Sequence, residues 1–390
     1  MADASRARLA RGLERLDRDG LRRRRRVIDS PQGPTVVENG RTLANFASND
    51  YLGLANHPRL ARAATEAIAR YGVGAGASPL VAGHTRAHEE AEAAFARFTG
   101  LERALLMPSG YAANLGILAS FADRHAAVFA DRLDHACLVD GALLSRADFH
   151  RYPHGDADAL ARALAASAAE VKVIATDAVF SMDGDVAPLP ALLDLAERHD
   201  GWLVVDDAHG IGVLGGGRGS LAHFGMASPR ILYMATLGKA LGGYGAFVAG
   251  HPDAIEWLLQ RARTYVFSTA LPPALAACAT EALAIVEEEP ARVRALHERI
   301  AALRAELGRG GIETASQTAI QPIPVGDPER AVAIARRLHD RGFLVPAIRP
   351  PTVPVGTSRL RASLSAGHDE ATVIACARAI VEELALDAGR

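Results

Sequence analysis

The 390-residue chain has only three cysteines, Cys137, Cys278 and Cys376, and their wide separation gives neither a disulfide framework nor metal-ligand spacing. They fit a reducing cytoplasm and read as small buried side chains. No charge of either sign dominates: 43 basic residues face 45 acidic ones, for a net charge of -2, which removes the electrostatic case for nucleic acid or an anionic membrane as partner. The amino terminus, MADASRARLARGLERLDRDG, has charges throughout and no apolar core of signal-peptide length. No later run is apolar and long enough to span a bilayer, so a soluble, cytoplasmic protein is expected. Aromatic residues are scarce at 5%, while hydrophobic residues reach 49%, much of it alanine, which suits a helix-rich enzyme packed with small side chains. Internal repeats and low-complexity linkers are also missing, and the length suggests two or three structural units.

What is present centres on two neighbouring stretches, LVVDDAHGIGVLG (203–215) and ILYMATLGKALGGYGAFVAG (231–250). Each opens as an apolar β-type run and ends in polar and glycine-rich residues, the pattern of a buried strand delivering side chains to its carboxyl end. One presents Asp206 and His209, the other Thr236 and Lys239. An acid for a ring nitrogen, an imidazole, a hydroxyl for an anion and a lysine among small neighbours are the parts that hold pyridoxal phosphate as a Schiff base, with Lys239 as its carrier. Asp206 is chosen over Asp207 because strand side chains alternate, and Asp206 stands three residues before His209. Two acids at a strand end could also be a solvated turn or a metal site, but no second ligand set is clustered nearby and no metal is expected.

The remaining chain reads as alternating strands and helices. Residues 1–27 form an amphipathic helix running into the cluster Arg22 to Arg26, whose cations offset the dipole at a solvated helix end. Asn39-Gly40 marks a hairpin within a connecting ribbon, 28–55. A helix begins after Pro58 and stops at Gly72, a glycine-rich loop leads into a second helix ending near Gly100, and a strand from 103 turns sharply at Ser109-Gly110-Tyr111 into a third. That helix amino terminus is an anion site in waiting. Strands are expected at 126–131 and from 171, with Ser181 beyond the second, and helices at 156–170 and 189–201. This alternation argues for a mostly parallel sheet covered on both faces, with ligands beyond the strand carboxyl ends. A helical tract, 274–308, bridges to strands at 320–327, 343–348 and 358–366 and helices at 328–342 and from 368 to about 386, a smaller α+β unit. The expected divisions are 1–55, a large cofactor-binding domain over 56–285, and a small C-terminal domain over 286–390.

Taken in order, Asn49-Asp50-Tyr51-Leu52-Gly53, Ser109-Gly110-Tyr111, Asp134-His135, Phe180-Ser181-Met182-Asp183-Gly184, Asp206-Asp207-Ala208-His209-Gly210 and Thr236-x-x-Lys239 resemble the α-oxoamine synthases over nearly the whole chain. The resemblance implies a fold-type I pyridoxal-phosphate enzyme, an acyltransferase that condenses an amino acid with an acyl thioester and loses carbon dioxide. It implies that Lys239 holds the cofactor and then removes the substrate Cα proton, that His135 stacks on the pyridine ring, and that Ser181 and His209 bond the ring hydroxyl oxygen. Gly110 and Tyr111 border the cofactor, Thr236 binds its phosphate, and Ser268 and Thr269 reach the phosphate of the partner in a homodimer. Arg361 and Asn49 belong to the substrate site, with Thr352 nearby and Arg22 contacting substrate from the amino-terminal segment.

Within the family, AIRPPTVPVGTSRLR (347–361) looks most like members that join L-alanine to a pimeloyl thioester, on coenzyme A or acyl carrier protein, in biotin biosynthesis. Glycine-using members, of the 2-amino-3-ketobutyrate ligase or 5-aminolevulinate synthase kind, remain the alternative, and a non-catalytic scaffold is the rival from another class. The loop Gly74-Ala75-Gly76-Ala77-Ser78-Pro79 departs from the glycine-, serine- and arginine-containing continuation of relatives. No substrate contact is therefore carried over from it.

Overall fold

The computed structural model describes residues 4–23 and 25–388; Arg24 of the arginine cluster and the first three residues of the expected helix lie outside them. Strands are β1 (Thr35–Glu38), β2 (Arg41–Asn45), β3 (Arg103–Met107), β4 (Ala126–Asp131), β5 (Asp148–Tyr152), β6 (Val171–Asp177), β7 (Trp202–Asp206), β8 (Ile231–Thr236), β9 (Ala246–Gly250), β10 (Ile320–Gly326), β11 (Phe343–Leu344), β12 (Ala347–Ile348) and β13 (Ser358–Ser363). Seven of them form one sheet in the order β3-β9-β8-β7-β6-β4-β5. All neighbours are parallel except β9, which runs antiparallel to both β3 and β8.

The alternation of strand side chains divides the core into two layers. Leu203, Val205 and Tyr233 pack into one cluster and Val204, Leu232 and Met234 into the other. Helices complete both: Arg86–Thr99 supplies Phe95 to the first, and Gly110–Phe121 supplies Ile117 and Leu118 to the second. The result is the expected α/β fold, a mostly parallel sheet with helices on both faces. Among the described residues no helix is long and apolar enough to cross a membrane.

Four expectations need correction. The first helix spans only Ala4–Arg18. Gly20, at φ 63°, turns the chain, so Arg15 and Arg18 occupy the last helical turn, and Arg22, Arg23, Arg25 and Arg26 lie beyond it, outside helix and strand. The tract 274–308 is two helices, Pro273–Glu288 and Pro290–Arg309. Pro290 has no N–H and pushes Glu289 to φ −116°, ψ 58°, outside helical geometry. The first of the pair packs on helix Pro58–Tyr71, the second on the C-terminal helix Glu370–Ala388. Strand 343–348 is split at Val345-Pro346: β11 pairs in parallel with β2 of the hairpin, and β12 pairs antiparallel with β13 in the small sheet β10-β13-β12. Finally, β5 and β9 form strands where the sequence suggested none, β5 because its polar residues suit an edge and β9 because the five-residue run after a glycine-rich loop gave no separate signal.

Asp207, just past β7, fastens this layer from within. It is fully buried, and its Oδ2 accepts from the Tyr233 hydroxyl (2.6 Å) and from the Ser220 N–H (2.8 Å). Burial, opposed by those donors, pushes its pKa from 3.8 up to about 7. Between those values the folded protein keeps a proton that the unfolded chain has lost, so this group's contribution to stability falls as pH rises through the window. Asp207→Asn should lose less stability than wild type between about pH 4 and about pH 8 when urea midpoints are compared. Parallel pH profiles would show that Asp207 does not titrate there.

Candidate active site

Three adjacent strands of the large sheet, β4, β6 and β7, end in Asp131, Asp177 and Asp206, with Asp177 and Asp206 directly paired in register. Beyond them opens a cavity of about 180 Å³ lined by Gly110, Tyr111, His135, Cys137, Asp177, Ser181, Asp206, Ala208, His209, Met234, Thr236 and Lys239. Eight expected site residues meet there: Lys239, Asp206, His209, His135, Ser181, Thr236, Gly110 and Tyr111.

The chain has two lysines. Lys172 donates to the Ala169 carbonyl elsewhere, whereas Lys239 places its Nζ 2.8 Å from His209 Nε2. Burial lowers the Lys239 pKa against the pull of Asp206 and Asp177, which favours the free amine. Burial also drives the His209 pKa well below its ordinary value, helped by the charges of Lys239 and Arg361, so His209 is neutral. Asp206 and Asp207 part as strand alternation requires. Asp206 lines the cavity, with its Oδ1 accepting from Ala208 N (2.9 Å) and its Oδ2 from Asn114 Nδ2 (2.6 Å), while Asp207 faces Tyr233.

His135 caps the helix Ala136–Ser145, its Nδ1 accepting from the Cys137 N–H at 3.2 Å, which leaves Nε2 to carry the proton of a neutral ring. The amino terminus of helix Gly110–Phe121 is capped by Ser109, whose Oγ accepts from Ala112 N (3.2 Å). The N–H groups ahead of Ala112, on Gly110 and Tyr111, precede any intrahelical acceptor. A Cβ at Gly110 would stand 3.7 Å from both Met234 and Thr236, filling the space in front of that terminus. This cradle, with Thr236 opposite, has the character of a phosphate site. An acid, a depressed lysine, neutral imidazoles and an anion cradle in one cavity fit pyridoxal phosphate.

Arg361 comes from β13 of the small sheet, and its guanidinium is buried. Nε donates to the Ser181 carbonyl (2.6 Å), and Nη1 and Nη2 each lie 3.3 Å from Asn49 Oδ1. Arg22 and Thr352 line a separate groove of about 680 Å³. Ser268 and Thr269 line neither; they sit beside Met107 and Pro108 in another hollow, on a segment held to the glycine-rich loop by Ala270 N to Ala77 O (3.0 Å) and Ser78 Oγ to Val266 O (3.0 Å).

Four residues of the site escaped the sequence reading: Tyr51, Asn114, Cys137 and Asp177. Asn114 was signalled by being the one strongly polar residue in an otherwise apolar helix, and Asp177 by ending an apolar run as Asp206 does. The sequence also showed no metal-ligand pattern, yet His84, Glu89 and Glu92 bring ligand atoms within 4.8 Å of one another. Glu92 already accepts from Leu106 N (2.9 Å), and burial pushes its pKa up to about 7, which makes it a poor ligand at neutral pH.

Comparison with known proteins gives the family. The family model for aminotransferase class I and II matches residues 41–380. The 8-amino-7-oxononanoate synthase of Chromobacterium violaceum is 55% identical over 361 residues, covering 93% of this chain and 94% of that protein. The enzyme of the same name from Azoarcus sp. is 55% identical over 375 residues, covering 96% of each. Among solved structures, a serine palmitoyltransferase from S. paucimobilis with a bound PLP–myriocin aldimine superimposes with a TM-score of 0.91 at 28% identity, over 99% of this chain and 100% of that one. An 8-amino-7-oxononanoate synthase from Francisella tularensis gives 0.77 at 28% identity, over 88% of this chain and 98% of that one.

The Asn114 contact generates a stability prediction. Asn114→Leu keeps the volume and removes the donor to Asp206, and should cost about 1–3 kcal/mol of unfolding free energy in urea. An unchanged midpoint would mean that Asp206 finds another partner.

Proposed function

The chain belongs to the class I and II aminotransferases and, within them, to the 8-amino-7-oxononanoate synthases, pyridoxal-phosphate-dependent acyltransferases, and from that premise we propose that it joins L-alanine to a pimeloyl thioester. The products are 8-amino-7-oxononanoate, carbon dioxide and the free thiol carrier, a step of biotin biosynthesis. The observation that carries this reading is the hydrogen bond from Arg361 Nε to the carbonyl of Ser181 (2.6 Å), which ties a guanidinium suited to an amino-acid carboxylate to a residue lining the Lys239 cavity.

Pyridoxal phosphate, when bound, supplies an electron sink for negative charge at the substrate Cα. In this reading Lys239 holds it and later takes the Cα proton, and the depressed lysine pKa suits that base role. Asp206 meets the ring nitrogen, His135 stacks on the ring, and Ser181 and His209 hold its hydroxyl oxygen. Thr236 and the Gly110–Tyr111 turn take the phosphate. Arg361 and Asn49 bind the alanine carboxylate, a pairing suited to the planar guanidinium fork.

The groove at Arg22 and Thr352 supports the thioester half. Arg23, Arg26 and Arg349 stand around an apolar floor of Leu344, Val345 and Ile348, a combination suited to the methylene chain of a pimeloyl group with the negative charge of its far end or of its carrier. Its floor is joined to the Arg361 strand by Arg361 N to Pro346 O (3.0 Å). We further place the site at a homodimer interface, where Ser268 and Thr269, outside their own cavity, reach the partner's phosphate. The setting is the cytoplasm.

Lys239→Ala should eliminate the visible absorbance of the cofactor-loaded protein together with turnover, read by spectrophotometry and product assay. A variant that kept both would sink the assignment of Lys239. Offered alanine or glycine with pimeloyl-CoA, acetyl-CoA or succinyl-CoA, the wild-type enzyme should release thiol with alanine and pimeloyl-CoA; product from glycine and a short acyl-CoA alone would move the chain to the glycine-using branch.

A further inference from the structure

Tyr51 is completely buried in the turn that follows Asn49, and its hydroxyl lies 2.7 Å from His209 Nδ1 and 3.1 Å from Asn49 Oδ1. It has one proton and two neighbours able to accept it. Beyond Asn49, both terminal nitrogens of Arg361 approach the same oxygen, and a guanidinium only donates, so Asn49 Oδ1 is an acceptor alone. Beyond His209, Nε2 meets Lys239. A neutral imidazole has one N–H, and burial keeps the phenol protonated by pushing the Tyr51 pKa up to about 12.

Two proton arrangements satisfy this line. In the first, Tyr51 donates to Asn49, His209 donates from Nδ1 to Tyr51, and a bare Nε2 accepts from Lys239. In the second, Tyr51 donates to Nδ1 and the Nε2–H of His209 points at Lys239. Which one holds depends on whether the Asn49 oxygen needs a donor. While Arg361 fills it, Tyr51 is free for His209; when a carboxylate draws the guanidinium away, that oxygen takes the tyrosine proton instead.

We propose that Tyr51 is a positioning residue whose single hydroxyl proton selects the tautomer of His209, and so couples occupation of Arg361 to whether His209 Nε2 offers a proton or a lone pair to the group it meets, Lys239 without cofactor and the ring hydroxyl oxygen with it. This rests on the reading above only in taking Arg361 as the carboxylate reader and His209 as a holder of the ring hydroxyl oxygen. Substrate arrival thereby exchanges the donor that His209 presents to that oxygen for an acceptor.

The test uses the full chain, first without cofactor and then loaded. Nitrogen-15 NMR of the histidine rings, with His209→Asn to assign the signal, reports the tautomer directly. Tyr51→Phe, which keeps the ring and loses the hydroxyl, should turn a single His209 tautomer into a mixture. Asn49→Leu removes the competing acceptor and should lock the Nε2–H form, and it decides the matter if the phenylalanine variant does not fold. In the loaded enzyme Tyr51→Phe should lower kcat about 10-fold, with KM for the thioester unchanged. Wild-type ring signals in both variants would overturn the proposal, whatever happened to their melting temperatures. Tautomer shifts as expected in a wild-type protein that turns over no alanine would instead retain the coupling and reject the proposed reaction.

Discussion

Carboxyl groups packed against one another at the edge of a sheet are the constraint on which this structure depends. Asp131, Asp134, Asp177 and Asp206 are all buried, and a buried carboxylate without partners costs several kcal/mol. The loops beyond the strands are shaped by what satisfies these groups. Asp134 accepts the backbone N–H of Asp131 (2.8 Å) and of Asp177 (2.9 Å), which ties the ends of β4 and β6 together. Asp177 accepts the N–H of His135 (2.9 Å), so the imidazole at the cavity mouth is set by the same ladder. Asp131 takes Leu133 N, Gly155 N and the ring of His154, whose pKa is raised by hydrogen bonds to Asp131 and Asp185. Even so, burial, reinforced by repulsion from neighbouring aspartates, holds Asp134 and Asp177 well above the ordinary carboxyl range. Lys239 feels both sides of this arrangement: the acids favour its ammonium form and the loss of water disfavours it, with burial the larger influence.

The reading of sequence alone reached the large sheet and its chemistry because both leave local marks. A run such as LVVDD or ILYMAT states a strand and its end at once, and the residues just beyond are those with access to a ligand. The choice of Asp206 over Asp207 followed from alternation, which is also local. Long-range partners left no such marks. Nothing near Arg361 says that its guanidinium meets Asn49, 312 positions earlier, and nothing near Tyr51 separates a buried core phenol from one hydrogen-bonded to His209. Some misses were avoidable: Pro290 and Pro346 stand at the breaks of the long helix and of strand 343–348, and the missing proline N–H is sufficient cause for each. The edge strand β5, DFHRY, was hidden by its polar residues.

The motif Asn49–Gly53 illustrates how a short turn can carry much of an architecture through its backbone and a few side chains. Asp50 Oδ1 accepts from Leu54 N at 2.7 Å, and the Asp50 carbonyl accepts from Ser365 Oγ at 2.8 Å. Ala366 N reaches the Tyr51 carbonyl at 2.8 Å, and Gly242, three residues after Lys239, lies so near Leu54 that a Cβ there would come within 2.4 Å of its carbonyl carbon. One turn thus clamps the C-terminal strand to the lysine loop.

The split at Val345-Pro346 has a consequence in the time order of synthesis. The hairpin of β1 and β2 is synthesised long before its third strand, β11, which pairs Phe343 with Ala44. Arg361 follows later still. The growing chain can assemble the aspartate ladder and the lysine loop from residues 103–250 while its first strands wait, half-paired, for their partner. A nascent chain cut short before β11 would therefore expose an unfinished sheet edge at its amino-terminal end, the kind of surface that chaperones and proteases recognise, even though every residue of that edge had been made long before.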